Sequence, residues 1–276
     1  NIILECWWRY GMNFDGRVAL ITGAGSGIGR AVARELARGS AKIAALDRSE
    51  ERVKATVDEI RLMGVEGVAL VADVSRPDHV KQAVERTIES FGRLDIVVSN
   101  AGINGVRAPT DEIEPEEWNE TIGTNLTGTF LTLRYSVPHL KRQGGSVVVV
   151  ASTNGTRVFS IGGFSAYSSS KAGQVALAKT LALELARYQV RVNVVCPGAI
   201  ETGIMSSIKE RHIEKAAMRS GFPEGTIPLT GGRKGTPEQV AQLILFLASN
   251  GASHITGTEV YIDGAESLLG ETVFPI

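Results

Sequence analysis

From residue 17 onward, short apolar β-branched runs alternate with segments of helical pattern. Val18, Ala19, Leu20 and Ile21 form an unbroken apolar run, and 146–151 is nearly as continuous. Runs without polar alternation predict strands covered on both faces. Strands are expected at 18–21, 42–46, 67–72, 95–99, 146–151, 191–196 and 258–262. Helices are expected at 27–38, 49–63, 77–91, 115–142 and from Tyr167 to about Tyr188, with Pro138 near the end of the fourth. This alternation implies right-handed crossovers and a single-domain α/β fold. Its centre is a doubly wound parallel sheet of about seven strands, with helices on both faces. Two connections are less regular, 154–165 and 201–235. Both follow strand ends, where such sheets form their ligand crevice.

Composition narrows the picture by exclusion. The 276 residues are 43% hydrophobic and 21% charged, enough for a sizeable core. A net charge of −1 gives no footprint for nucleic acid or a membrane surface. No apolar run approaches the roughly 20 residues of a membrane span. The two cysteines, Cys6 and Cys196, have neither metal-ligand spacing nor a disulfide framework, so a reducing, cytoplasmic setting is expected. Cys196 closes an apolar run and reads as a small buried hydrophobe. His79, His139, His212 and His254 are scattered, and no metal is expected. Residues 1–11, with Trp7-Trp8-Arg9-Tyr10, lack a secretory pattern and read as an N-terminal extension or upstream remnant before one domain at 12–276. An arm packing on a neighbouring subunit is the alternative.

Chemistry enters at three places. Thr22-Gly23-Ala24-Gly25-Ser26-Gly27-Ile28-Gly29 follows the first strand and opens the first helix. Glycines there allow a tight turn and close backbone approach to a pyrophosphate, and the helix N-terminus supplies N–H donors. Asp47 ends the second strand, where a carboxylate accepts ribose hydroxyls and repels a 2′-phosphate, favouring NAD over NADP. Arg48, next to it, has a 2′-phosphate contact as its alternative to a surface role. Tyr167 and Lys171 lie four apart on one helix face, where the ammonium is expected to lower the tyrosine pKa.

Gly23-x3-Gly27-x-Gly29, Asn100-Ala101-Gly102, Tyr167-x3-Lys171 and Pro197-Gly198 together resemble, in order and spacing, the classical short-chain dehydrogenase/reductase family. The resemblance covers residues 14–264 and implies a Rossmann-type fold, an NAD cofactor and a small alcohol or ketone substrate. It implies that Asp73 and the backbone of Val74 meet the adenine. Asn100, Ala101 and Gly102 leave room for the cofactor. Pro197, Gly198, Ile200 and Thr202 hold the nicotinamide, and Ser26 and Ile28 belong to the phosphate turn. Asn125 kinks its helix and holds a water linking Lys171 to solvent. Ser99 stands where the family carries Asn. A homotetramer or homodimer is implied, with the last strand at an interface.

One role stays open. Ser152 should hydrogen-bond the reacting oxygen, but it precedes Tyr167 by a longer interval than the family implies. Alignment at the strand end favours Ser152 with a two-residue insertion after it. Thr153 is next, and Asn154 is closer still in spacing. Arg157 or Arg107 is a candidate for a substrate carboxylate, against a solvent-facing role. Reduction of 3-oxoacyl groups on acyl carrier protein is the alternative enzyme reading. It usually goes with NADPH and a basic docking surface. A non-catalytic cofactor-binding protein is a third.

Overall fold

A computed structural model of the chain describes residues 12–159, 161–204, 208–216, 219–220, 227–269 and 273–274. Residues 1–11, Ser160 and parts of the 201–235 connection lie outside them.

The strands of the main sheet are β1 (Val18–Thr22), β2 (Lys42–Asp47), β3 (Gly67–Val71), β4 (Ile96–Ser99), β5 (Gly145–Val150), β6 (Val190–Pro197) and β7 (Glu259–Ile262). Every residue of β1 is buried, and successive side chains enter different cores. Ala19 and Ile21 join one, Val18 and Leu20 the other. In β5, Val148 and Val150 go one way and Val147 and Val149 the other. Fully burying such a side chain contributes roughly 1.5–3 kcal/mol, so a strand apolar on both faces is driven to the centre of a sheet.

All seven strands pair in parallel, in the order β3-β2-β1-β4-β5-β6-β7. Helices α1 (Gly27–Arg38), α2 (Glu50–Leu62) and α7 (Pro237–Ala248) cover the Ile21 face. Helices α3 (Pro77–Phe91), α5 (Gly128–Leu140) and α6 (Ser165–Leu185) cover the Leu20 face, and α4 (Pro115–Ile122) precedes α5. The expected doubly wound α/β sheet is thus present, with strand ends displaced by at most one residue. No helix among the described residues is long and apolar enough to cross a membrane.

One feature gives form to the kink expected at Asn125, and one was not foreseen. The single helix expected at 115–142 is interrupted by a π turn, Gly123–Thr127, between α4 and α5. Helix α7 has no counterpart in the sequence reading. Its start carries a legible signal, because Thr236 and Gln239 form a capping box in which Thr236 Oγ1 accepts from the Gln239 N–H at 3.3 Å and Gln239 Oε1 accepts from the Thr236 N–H at 2.9 Å.

Candidate active site

The strand order reverses at β1, which pairs with β2 on one side and β4 on the other. The crevice this opens at the strand C-termini is where open α/β sheets bind ligands. The glycine turn fills its floor. Gly23 sits at φ +68, and a Cβ there would lie 2.9 Å from Asn100 Nδ2. A Cβ on Gly29 would collide with the Gly23 carbonyl. Asn100 holds both sides together. Its Nδ2 donates to the Thr22 carbonyl at 3.0 Å, while Thr22 Oγ1 accepts from the N–H groups of Asn100 at 2.9 Å and Ala101 at 3.1 Å. Ser26 caps α1 without a side-chain bond. The first-turn N–H groups of a helix, with Gly27, Ile28 and Gly29 here, have no intrahelical acceptor and face an anion favourably. Asp47 Oδ2 accepts from the Gly25 N–H at 3.0 Å and Oδ1 from Ser49 at 2.9 Å. Each oxygen keeps a lone pair for a further donor. These groups fit a dinucleotide.

Asp73 serves its local turn, accepting from the Ser75 N–H at 2.9 Å and hydroxyl at 2.7 Å, which is the turn-cap reading of that residue. Against partial burial, the two Ser75 bonds and then the charge of the exposed Arg48 hold the Asp73 carboxyl below its usual range. Val74 is buried against Gly128. Ser99 Oγ donates to Thr129 Oγ1 at 3.0 Å, so its departure from the family's Asn leaves no unpaired hydroxyl.

Helix α6 projects Tyr167, Ser170, Lys171 and Gln174 from one face, all buried. Lys171 Nζ donates to the Val150 carbonyl at 3.0 Å and lies 5.6 Å from the Tyr167 ring centre. Burial pulls the Lys171 ammonium down to about 8. Asn125, wholly buried in the π turn, clamps the loop after β4. Its Oδ1 accepts from the Ile103 N–H and its Nδ2 donates to the Ile103 carbonyl, both at 2.9 Å. Nδ2 also donates to Ser170 Oγ at 3.0 Å. Gln174 Nε2 donates to the Asn125 carbonyl at 2.9 Å, a carbonyl of the π turn. Ser170 and Gln174 escaped the sequence reading. The signal was polar residues three, four and seven positions along one face from Tyr167. Gly102 completes this corner, since a Cβ there would lie 3.2 Å from Asn125 Oδ1 and 3.6 Å from Lys171 Nζ.

Ser152 is the side chain hydrogen-bonded to Tyr167. Thr153 instead organises the following turn. Its carbonyl accepts from the N–H groups of Thr156 at 3.2 Å, Arg157 at 2.9 Å and Val158 at 3.0 Å. The longer connection is thus taken up in a compact turn seated on α6, where a Cβ on Gly155 would strike the Ser168 carbonyl. Ser152 stays at the strand end.

Three expectations need correction. Burial raises the Tyr167 phenol above its usual range and the Ser152 bond only partly offsets it. The lowering expected from Lys171 does not outweigh that burial: its ammonium is itself disfavoured there, and one of its three N–H donors goes to the Val150 carbonyl. Arg107 is tied down by the Gly162 carbonyl, Glu210 and the Phe164 ring, and is not free for a carboxylate. Arg157 stacks on Tyr261, its guanidinium carbon 3.5 Å from the ring centre.

Beyond β6, the Gly198 N–H donates to the Ile262 carbonyl at 3.1 Å, and Ile200 bridges to Gly235. Thr202 Cγ2 would lie 3.3 Å from a Cβ on Gly27. The Pro197 segment therefore closes over the glycine turn, leaving a cleft of about 500 Å³ between Gly27 and Thr202.

Sheet order and glycine turn define a nucleotide-binding protein of Rossmann type. Residues 23–265 match the family model described as Enoyl-(Acyl carrier protein) reductase. The chain belongs to the classical short-chain dehydrogenase/reductase family and, with it, to the oxidoreductases. A solved 3-ketoacyl-ACP reductase from Sinorhizobium meliloti 1021 is 52% identical, with a TM-score of 0.88 over 92% of this chain and 100% of that one. A cyclohexanol dehydrogenase from an Acinetobacter species is 37% identical over 91% of this chain and 95% of its own. A 3-ketoacyl-(acyl-carrier-protein) reductase from Brucella melitensis, solved with NADH, is 34% identical, with a TM-score of 0.80 over 92% of this chain and 100% of that one.

Proposed function

We propose that the protein is an NAD-dependent oxidoreductase that interconverts a secondary alcohol and its ketone, with Tyr167 as general acid and base. The observation that carries this reading is the buried Tyr167 ring 5.6 Å from the Lys171 ammonium, with Ser152 at the strand end lowering the phenol by hydrogen bonding. The glycine turn and Asp47 would hold a nicotinamide cofactor, whose chemistry would be to take up a hydride from the carbinol carbon in oxidation and supply it in reduction. The residues of the chain do the rest. The Tyr167 oxygen takes the hydroxyl proton in oxidation and gives it back in reduction. Ser152 donates a hydrogen bond to the reacting oxygen as charge develops there. Lys171 supplies positive charge to the phenolate and a donor for the cofactor ribose. Asn125 Oδ1 keeps one lone pair for a water between it and Lys171, on the path that returns the proton to solvent.

Two tests follow from these roles. Removing the Ser152 bond removes what lowers the tyrosine pKa, so Ser152→Ala should move the rising limb of the oxidation rate to higher pH. It should also cut kcat/KM by about 100-fold, whereas Thr153→Ala leaves both in place. A limb that stays put would remove Ser152 from this role. Asp47→Ala should lower the preference for NAD over NADP by about tenfold or more, since it deletes both the ribose acceptor and the repulsion of a 2′-phosphate. A wild-type enzyme that already prefers NADP contradicts the role given to Asp47.

A second reading is reduction of 3-oxoacyl thioesters, favoured by the 52% identity to the Sinorhizobium reductase. The NADH bound in the Brucella reductase supports an NAD cofactor under this reading too. Acetoacetyl thioester reduction outrunning turnover of every free alcohol and ketone would select it. The same proposal holds the chain to be one cytoplasmic catalytic domain at 12–276, assembled as a homotetramer or homodimer and preceded by an N-terminal extension.

A further inference from the structure

The opposite end of the sheet carries a second concavity, a cleft of about 620 Å³. Arg17 directly precedes β1, Asp95 precedes β4, and Arg191 is the second residue of β6, so the cleft lies where the strands begin. The glycine turn, Ser152 and Pro197 lie where strands end.

Its lining holds three arginines, Arg17, Arg93 and Arg191, and one acid, Asp95. That acid is committed. It takes Arg93 on both oxygens, Nε at 2.9 Å and Nη2 at 2.7 Å, and the Val18 N–H at 2.9 Å. Arg93 is thereby neutralised. Arg17 and Arg191 meet no carboxylate among the described residues. Arg17 Nη2 donates to Asn250 Oδ1 at 2.6 Å. Arg191 donates to the Leu247 carbonyl at 2.6 Å and the Ser249 carbonyl at 3.0 Å, both at the end of α7. These acceptors satisfy N–H groups but bring only partial charge. Burial first, and then the charge of Arg17, hold Arg191 below the usual arginine range. Two cations thus share one recess with an excess of two positive charges, and an anion between them would relieve both. The volume exceeds what one inorganic ion fills and lies within the range of small-molecule sites. Guanidinium forks match the several oxygens of a phosphoryl group.

We propose that this cleft binds a polar small molecule through a phosphate or pyrophosphate group held by Arg17 and Arg191. This goes beyond the dehydrogenase reading and does not depend on it. The test is calorimetric titration of the full chain with inorganic pyrophosphate, at constant ionic strength and with NAD present to occupy the glycine turn. Saturable binding of one pyrophosphate per chain is expected. Arg17→Gln should weaken it about tenfold or more. Ser253→Glu, which puts an acid on the exposed lip of the cleft and leaves Arg17 in place, should do the same. Absence of saturable binding to the wild type, or equal affinity in the wild type and both variants, overturns the proposal. Binding at the glycine turn would be untouched by either variant, so failure of the NAD assignment would register separately.

Discussion

Replacing Tyr167 with Phe is expected to lower kcat by about 10³-fold or more while leaving NAD affinity within about threefold. The substitution removes one oxygen from a ring that is 9% exposed and fixed beside Phe164 at 5.9 Å between ring centres. The ring keeps its place and its apolar contacts. What is lost is the oxygen proposed to exchange a proton with the substrate, together with its interaction with Ser152. The stability change should be about 1 kcal/mol, the usual net value of one hydrogen bond. The measurements are turnover and cofactor binding on the same preparation. Turnover within tenfold of wild type would remove Tyr167 from the chemistry. Unchanged turnover together with unchanged NAD binding would favour a binding role for the protein instead.

Lys171→Met is the second large effect, and its signature is a split between activity and stability. Turnover should fall by about 100-fold or more, because the phenolate proposed at Tyr167 loses the ammonium one turn along its helix. Stability at neutral pH should hold or rise by about 1–2 kcal/mol. A lysine held at about 8 is disfavoured as a cation in the fold by about 3 kcal/mol. Methionine fills a similar volume without that penalty, less about 1 kcal/mol for leaving the Val150 carbonyl without its donor. The pH dependence follows from the direction of the shift. Between about 8 and the ordinary lysine value of 10.5, the unfolded chain still holds a proton that native Lys171 has released. Raising the pH through that window therefore favours the native state of the wild type. Methionine cannot titrate, so the advantage of the variant should shrink there. Denaturant melts of both proteins across the window check it, and an advantage that grows with pH would contradict the assignment.

The parts of this protein that were legible in its sequence are those written in local pattern. The strands around Leu20 and Val148 announce themselves because burial on both faces leaves no polar alternation. The glycine turn is legible because Gly23 and Gly29 answer steric demands that no other residue meets. Tyr167 and Lys171 are legible because helix geometry converts a spacing of four into a shared face. What was not legible depends on partners distant in sequence. The fate of Arg107 was set by Glu210, over one hundred positions away. The direction of the Tyr167 shift depended on how deeply α6 is buried, which outweighs a neighbouring charge that spacing alone suggests. The π turn at Asn125 arises where Gln174 of another helix captures a backbone carbonyl, and no local pattern encodes that contact. Helix α7 is the instructive miss. Its capping box at Thr236 is a local signal, hidden only by the irregular segment before it.

In the proposed reaction the buried Tyr167 moves a proton while a hydride passes from a secondary alcohol to NAD. Secondary alcohols carrying deuterium on the carbinol carbon, offered to the protein with NAD, test this directly. One deuterium per turnover is expected in the reduced nicotinamide and none in the solvent, with a rate that rises with pH as Tyr167 ionises. Reduced nicotinamide that forms without the label would contradict it, as would its absence with every alcohol, ketone and 3-oxoacyl thioester tried in either direction.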